Sequence, residues 1–382
     1  MSIPAIRVGF LLGICLSSFL MVPPTAGIQA QIPGPRAYAC SVDRTRIDGS
    51  MVAERSAMTD AEAPVLFSAQ FAANGMIVGV DRSAQQVMVL DAALNRIREV
   101  GRRGQGPGEY ADPVAAVMDS RGRVFVGDGG SGYGSVVAYS EEGGFIREDQ
   151  LPLGLSPSAM VTDGERVYVA GDASFVMISF DPRPVLAAYD PVTGETEVLL
   201  HQTPDWFGEP PVYRNSHANL IPRVDIHGNV YVGFVEGYEI WKITGPEEYE
   251  VVLRGCIPER ALEALRSSNP VVSAPGFPGV NMRSPAGRIS YTVLTDFAVF
   301  PDGRILTRVG LWIDEEQRRS LELFSPEGEL LDAWALGPGE LLTVWSVMDG
   351  SDPTRHLEWF AGDGMTRLVR FPPIAGIPGS LR

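Results

Sequence analysis

Lysine is nearly missing from this chain. Of its 31 basic residues Lys242 is the one lysine, so a Schiff-base mechanism or a lysine-dependent phosphate site would rest on that residue alone. Lys242 lies in the alternating stretch Tyr238-Glu239-Ile240-Trp241-Lys242-Ile243 and reads as a solvated outward side chain of a strand. Histidine is scarce too, with His201, His217, His227 and His356 only. A zinc site would need three of them to converge, and His227 is already committed to a turn, so no metal is assigned. Basic charge is short overall, 31 Lys and Arg against 47 Asp and Glu for a net −16, which opposes general affinity for nucleic acid or anionic lipid. Beyond the N-terminus no apolar run is long enough for a transmembrane segment. G-x-S-x-G, H-E-x-x-H and the acidic calcium loop do not occur, and neither a cofactor nor a catalytic residue is assigned.

The N-terminus has one use for its apolar run. Arg7 precedes the uncharged stretch Val8 to Val22, and small residues and prolines follow as far as Gln31. That order describes a secretory signal peptide over residues 1–30 rather than a spanning helix. The mature chain is expected to be exported, to the periplasm or beyond the cell.

What is abundant is turn chemistry. The 42 Gly and 30 Pro suit many short strands joined by tight turns. Turn glycines recur at Asn74-Gly75, Arg121-Gly122, Asp163-Gly164, His227-Gly228, Asp302-Gly303 and Asp349-Gly350, spaced by 47, 42, 64, 75 and 47 residues. Each follows a short apolar strand, and a second strand comes after it, as in Val124-Phe125-Val126 or Val230-Tyr231-Val232. Third and fourth strands follow in most units, Val87 to Leu90 and Ile97 to Val100 in the first. Strands so short cannot bury both faces alone and must stack radially.

The loop Gly101-Arg102-Arg103-Gly104-Gln105-Gly106-Pro107-Gly108-Glu109-Tyr110, the strand Val114 to Met118, and Arg121-Gly122-Arg123-Val124-Phe125-Val126-Gly127-Asp128 together resemble the NHL-type six-bladed β-propellers of secreted bacterial proteins. The resemblance spans about residues 65 to 371 and is sharpest in the first two repeats. It implies a fold and leaves activity open, since propellers include lyases, lactonases and plain binding modules. The expected fold is all-β, a six-bladed β-propeller of four-stranded antiparallel blades closed by an N-terminal strand. Residues 31–56 form the closing segment, 57–371 the propeller and 372–382 a C-terminal tail. Because the sixth repeat runs out after its third strand, Ala37 to Val42 or Met51 to Glu54 is expected to complete it, an open edge being an aggregation hazard. Cys40 and Cys256 would then sit a whole blade apart, whereas a disulfide needs Cα atoms within about 7 Å, so two free thiols are expected.

Two connections are long, His201 to Leu220 and Gly255 to Ser290, and like the glycine-rich loop they join a fourth strand to the next first strand. All such connections emerge on one face of a propeller, which makes that face the variable one. The glycine-rich loop invites a phosphate, but a strand follows it and Pro107 removes a donor, so a structural turn is preferred. Asp81, Asp128, Asp172 and Asp363 follow second strands and are read as caps of backbone N–H groups. Asp112, His217, Asn219 and Asp296 lie before or at the start of first strands, where they can face the channel. Arg102, Arg103, Trp206 and Tyr213 can surround its mouth, though the aromatics equally suit a role as cover for their own loop. The function expected is a non-catalytic monomeric module that binds a peptide, glycan or protein. The alternative is a hydrolase or lyase, lactonase-like or metal-dependent, with its site in the channel.

Overall fold

In a computed structural model the described residues are 50–51, 54–58, 66–81, 84–130, 134–171, 184–201, 220–234, 238–255, 283–284, 287–288, 291–313, 316–336, 343–349, 352–360 and 365–370. Along the chain, β1 (Ser50–Met51) and β2 (Glu54–Met58) come first. A sheet then forms from β3 (Leu66–Phe71), β4 (Ile77–Asp81), β5 (Gln86–Leu90) and β6 (Arg96–Val100). The short strands β7 (Arg102–Arg103) and β8 (Glu109–Tyr110) follow, then a second sheet of β9 (Pro113–Met118), β10 (Val124–Asp128), β11 (Ser135–Tyr139) and β12 (Phe145–Gln150). The third contains β13 (Pro157–Thr162), β14 (Val167–Gly171), β15 (Leu186–Tyr189) and β16 (Thr196–Leu200). The fourth contains β17 (Leu220–Val224), β18 (Val230–Phe234), β19 (Glu239–Gly245) and β20 (Glu248–Arg254). After the two-residue pair β21 (Arg283–Ser284) and β22 (Gly287–Arg288) come β23 (Tyr291–Val299), β24 (Ile305–Ile313), β25 (Glu316–Phe324) and β26 (Leu330–Leu336). Last are β27 (Thr343–Asp349), β28 (Asp352–Phe360) and β29 (Met365–Arg370).

The burial of these strands shows how they stack. Second strands β4, β10, β14 and β18 are buried along their whole length, because each is covered by a neighbouring sheet on both faces. The fourth strands β6 and β12 are mostly exposed, as outer edges must be. Six apolar clusters fill the spaces between successive sheets, from Val80, Tyr110 and Val126 between the first two to Leu66, Met88, Leu357 and Leu368 between last and first. The inner strands β3, β9, β13, β17, β23 and β27 contact one another in that order, and β27 also touches β3. The fold is a β-propeller of four-stranded antiparallel blades.

The turns join strands as the glycines require. Gly75, Gly122, Gly164, Gly228 and Gly303 have φ of 81°, 77°, 96°, 79° and 84°, a region in which a Cβ is strained. Their neighbours cap the same turns: Asp119 Oδ1 accepts from Arg121 N and Arg123 N at 2.9 Å, and Asp225 Oδ1 from His227 N and Asn229 N at 2.9 Å. Turns between third and fourth strands repeat the device at Asp91 and Asp190. Much of the acidic excess is spent on backbone N–H groups in this way.

The N-terminal segment departs from expectation. Five sheets have four strands, but the sheet of β23 to β26 has five, because Ser50 and Met51 join β26 in parallel. Met51 therefore lies on this sheet rather than on the last one. It is Glu54–Met58 that runs antiparallel to β29, with Glu54 opposite Arg370 and Met58 opposite Arg367, so the boundary expected at residue 56 falls inside a strand. Ala37 to Val42, Cys40, Cys256 and the tail 372–382 lie outside the described residues. Because strands alternate in direction, the second-to-third-strand turns share a face with the glycine-rich loop. The tight capped turns, first to second and third to fourth, occupy the opposite face.

Candidate functional site

The glycine-rich loop is an anion cradle that is already filled. Glu109 Oε2 accepts from Gln105 N at 3.0 Å and Gly106 N at 2.8 Å, while Arg102 reaches Oε1 through Nε at 2.7 Å and Nη2 at 2.6 Å. A Cβ on Gly104 would stand 1.9 Å from that carboxylate, so glycine is required for the close approach. The Gly106 backbone bond, then Arg102, holds the Glu109 carboxyl below its ordinary range. A group with a depressed folded-state pKa stabilises the fold above its unfolded value, near 4.3 for Glu, and loses that effect as pH falls through the folded value. Glu109→Gln is therefore expected to lower the melting temperature at neutral pH, with the gap to the unsubstituted protein closing in strong acid; a gap independent of pH would show that the charge does not matter.

Tyr110 anchors the other end of the loop. Fully buried, its hydroxyl donates to Val100 O and accepts from Val87 N, both at 3.0 Å, and burial pushes its pKa up to about 12. Asp128 then receives Ala111 N at 2.9 Å and Asp112 N at 2.7 Å, which places Asp112 one residue before the inner strand β9. Asp81 likewise caps Ala84 N, whereas Asp172 and Asp363 lie outside the described residues. Gly101 and Gly108 rest against Tyr139 and Phe145, at the outer strands of the second sheet. Arg102 and Arg103 are thus exposed at the rim while Asp112 is near the channel, and Arg102 is occupied by Glu109. Trp206, Tyr213, His217 and Asn219 lie outside the described residues.

Asp296 is placed differently from its sequence reading. It is the sixth residue of β23 and wholly buried, and it pairs with Arg223 of β17 on the adjacent sheet and accepts from Phe297 N at 2.7 Å. Arg308 stands directly opposite it on β24 and donates from Nη1 to His356 Nδ1 of β28 at 3.2 Å. Arginine has no acceptor, so that Nδ1 carries no proton in this contact. A second buried network joins the Tyr238 hydroxyl to Thr307 Oγ1 at 2.7 Å and to Glu322 Oε2 at 2.5 Å, with Ser320 Oγ on the other Glu322 oxygen at 3.0 Å.

Arg223, Arg308 and His356 were not singled out from the sequence, although Arg223 and Arg308 are each a charged residue inside an apolar strand, as in Leu220-Ile221-Pro222-Arg223-Val224. His227 lies in its turn, and His201 pairs with Glu247 at 2.5 Å, so His201, His227 and His356 each have a different set of partners. Among the described residues no three His, Cys, Asp or Glu side chains are grouped to hold a metal ion, and no helix is long and apolar enough to cross a membrane.

This fold is shared with two bacterial structures. A Bacteroides fragilis NCTC 9343 protein inferred to be exported superposes with a TM-score of 0.54 at 13% identity, covering 85% of this chain and 95% of its own. A member of the DUF4221 family from Bacteroides vulgatus ATCC 8482 gives 0.57 at 12% identity over 85% and 98%. At such identities the likeness is one of fold. No protein-family model matches the chain, and no curated protein matches it in sequence.

Proposed function

We propose that the protein is an exported, monomeric, six-bladed propeller of NHL type that binds a peptide, glycan or protein on the face bearing its inter-blade insertions. Residues 1–30 are the leader that directs export and 372–382 a tail. The five-stranded sheet counts as a blade like the others, and β2 closes the ring as the outer strand of the last blade; the continuous order of inner-strand contacts supports this. One observation carries the choice of face. On the opposite face the turn carboxylates of Asp91, Asp119, Asp163, Asp190 and Asp225 are consumed by their own backbone, which leaves recognition to the connections that can vary. Asp112, Arg103 and the insertion residues Trp206, Tyr213, His217 and Asn219 are the contacts proposed, with Arg102 supporting the loop.

The second reading, a hydrolase or lyase with a channel site, is favoured by the buried charges of Asp296, Arg223 and Arg308, with the His356 ring beside Arg308, close to the inner strands. Stoichiometric metal in the purified mature protein would support it.

The binding reading is tested by probing the mature chain against glycan and peptide arrays, then remeasuring hits with Trp206→Ala. Loss of a true anchor costs about 2 kcal/mol or more of binding, with the melting temperature nearly unchanged. Protection of the capped-turn face in footprinting, or unfolding by Trp206→Ala, sinks the idea.

A further inference from the structure

The Arg223 guanidinium is mostly buried yet largely unused. Its side chain is 12% exposed, and it lies on β17, one of the strands that contact each other around the centre. Arginine carries five N–H donors in a planar fork. One from Nη1 goes to Pro222 O at 2.8 Å and one from Nη2 to Asp296. Nε is buried with no partner, and the remaining Nη hydrogens have no protein acceptor among the described residues.

Buried donors are nearly always satisfied, and leaving one without an acceptor is costly. Among the described residues nothing completes this fork, which leaves it open to water or a ligand. Asp296 is fixed by burial and by Phe297 N, so it pins one corner of the guanidinium and orients the rest. A fork held in one orientation suits a planar, two-oxygen acceptor better than a point charge does.

We propose that Arg223 receives the carboxylate of a ligand at the inner wall, with Asp296 as the positioning residue. This rests on the reading that the ligand enters from the insertion-bearing face, and it must then run the length of β17, since Arg223 is near the far end of that strand, two residues before the capped turn of Asp225. The shared chemistry is the carboxylate, which a uronate sugar or the end of a peptide can supply.

The test is calorimetric titration of the mature protein with D-glucuronate and with N-acetyl-alanine, each beside its neutral counterpart, glucose or N-acetyl-alaninamide. One or both carboxylates are expected to bind and the neutral compounds not; which one binds identifies the source. Arg223→Lys keeps a cation opposite Asp296 without the fork and is expected to weaken binding by about tenfold or more. Should that variant fail to fold, Arg223→Met with Asp296→Leu removes both charges together and is expected to abolish binding. No binding of either carboxylate, equal binding of the neutral compounds, or full binding by a folded Arg223 variant overturns the proposal. Binding lost in Arg223→Lys but kept in Trp206→Ala upholds Arg223 while removing the insertion from the site; the reverse pattern overturns Arg223 and leaves the insertion reading standing.

Discussion

Asp296→Ala is expected to lower the free energy of unfolding by about 3–5 kcal/mol, because it strands a mostly buried guanidinium without its carboxylate. Asp296 has no exposed surface and its Arg223 partner is 12% exposed, so water can do little to screen the charge that remains. The loss also removes the acceptor of Phe297 N, a bond inside the cluster where Leu294 and Phe297 meet Tyr231 and Ile240. Urea unfolding of the single and double variants separates the pair from its surroundings. Removing Arg223 as well, as Arg223→Met, is expected to recover a large part of the loss, since no lone charge is then buried. A single variant within about 1 kcal/mol of the parent would mean that the pair behaves as a surface salt bridge.

The depth of that pair explains why it was not legible in the sequence while the blades were. A turn announces itself locally: Asp225, Gly228 and Asn229 lie within five residues and are bonded to one another. The same holds for Gly75, Gly122, Gly164 and Gly303, whose positions match the turns read from sequence. Arg223 and Asp296, in contrast, are 73 residues apart, and Arg308 and His356 are 48 apart. Nothing local marks them as partners: Arg223, Asp296 and Arg308 are each one charged residue within an apolar run, and His356 sits in the polar stretch Asp352-Pro353-Thr354-Arg355 to Glu358.

Two other differences have local causes. The third strand of the third blade, Leu186–Tyr189, was not among the third strands read from sequence, because two of its four residues are alanines with little β propensity. Asp296 was placed at a strand start, although the connection read as ending at Ser290 already puts the first residue of β23 at Tyr291 and Asp296 well inside it. The glycine-rich loop turns between Gly106 and Glu109, as read from the sequence. What the sequence did not reveal was the reason, a carboxylate three residues beyond Gly106 occupying the cradle.

Starting the chain at residue 59, which deletes β1 and β2, is expected to remove most of the folding stability. β2 contributes four register pairs to β29, and β1 two more to β26. At about 1 kcal/mol net per ladder hydrogen bond, their loss is on the order of 3–6 kcal/mol, against a total of about 5–15 kcal/mol for a typical domain. The apolar consequence adds to this. β2 covers Leu368 and Val369 of β29, which are 4% and 6% exposed and belong to the clusters on either side of the last blade. With β2 gone, both faces of the junction between first and last blades border an open edge, and Leu66 N depends on Thr366 Oγ1 of that same β29. A ring broken at its junction also presents an unpaired strand to other copies. The comparison is between chains beginning at residues 49 and 59, followed by thermal melting and light scattering. The shorter one is expected to melt far lower and to aggregate, while a chain starting at 57, which keeps only Ala57 and Met58 of β2, falls between. If the chain from 59 melts with the chain from 49, β2 is an ornament on β29 and the ring is held by the contacts of β3 with β27, β28 and β29.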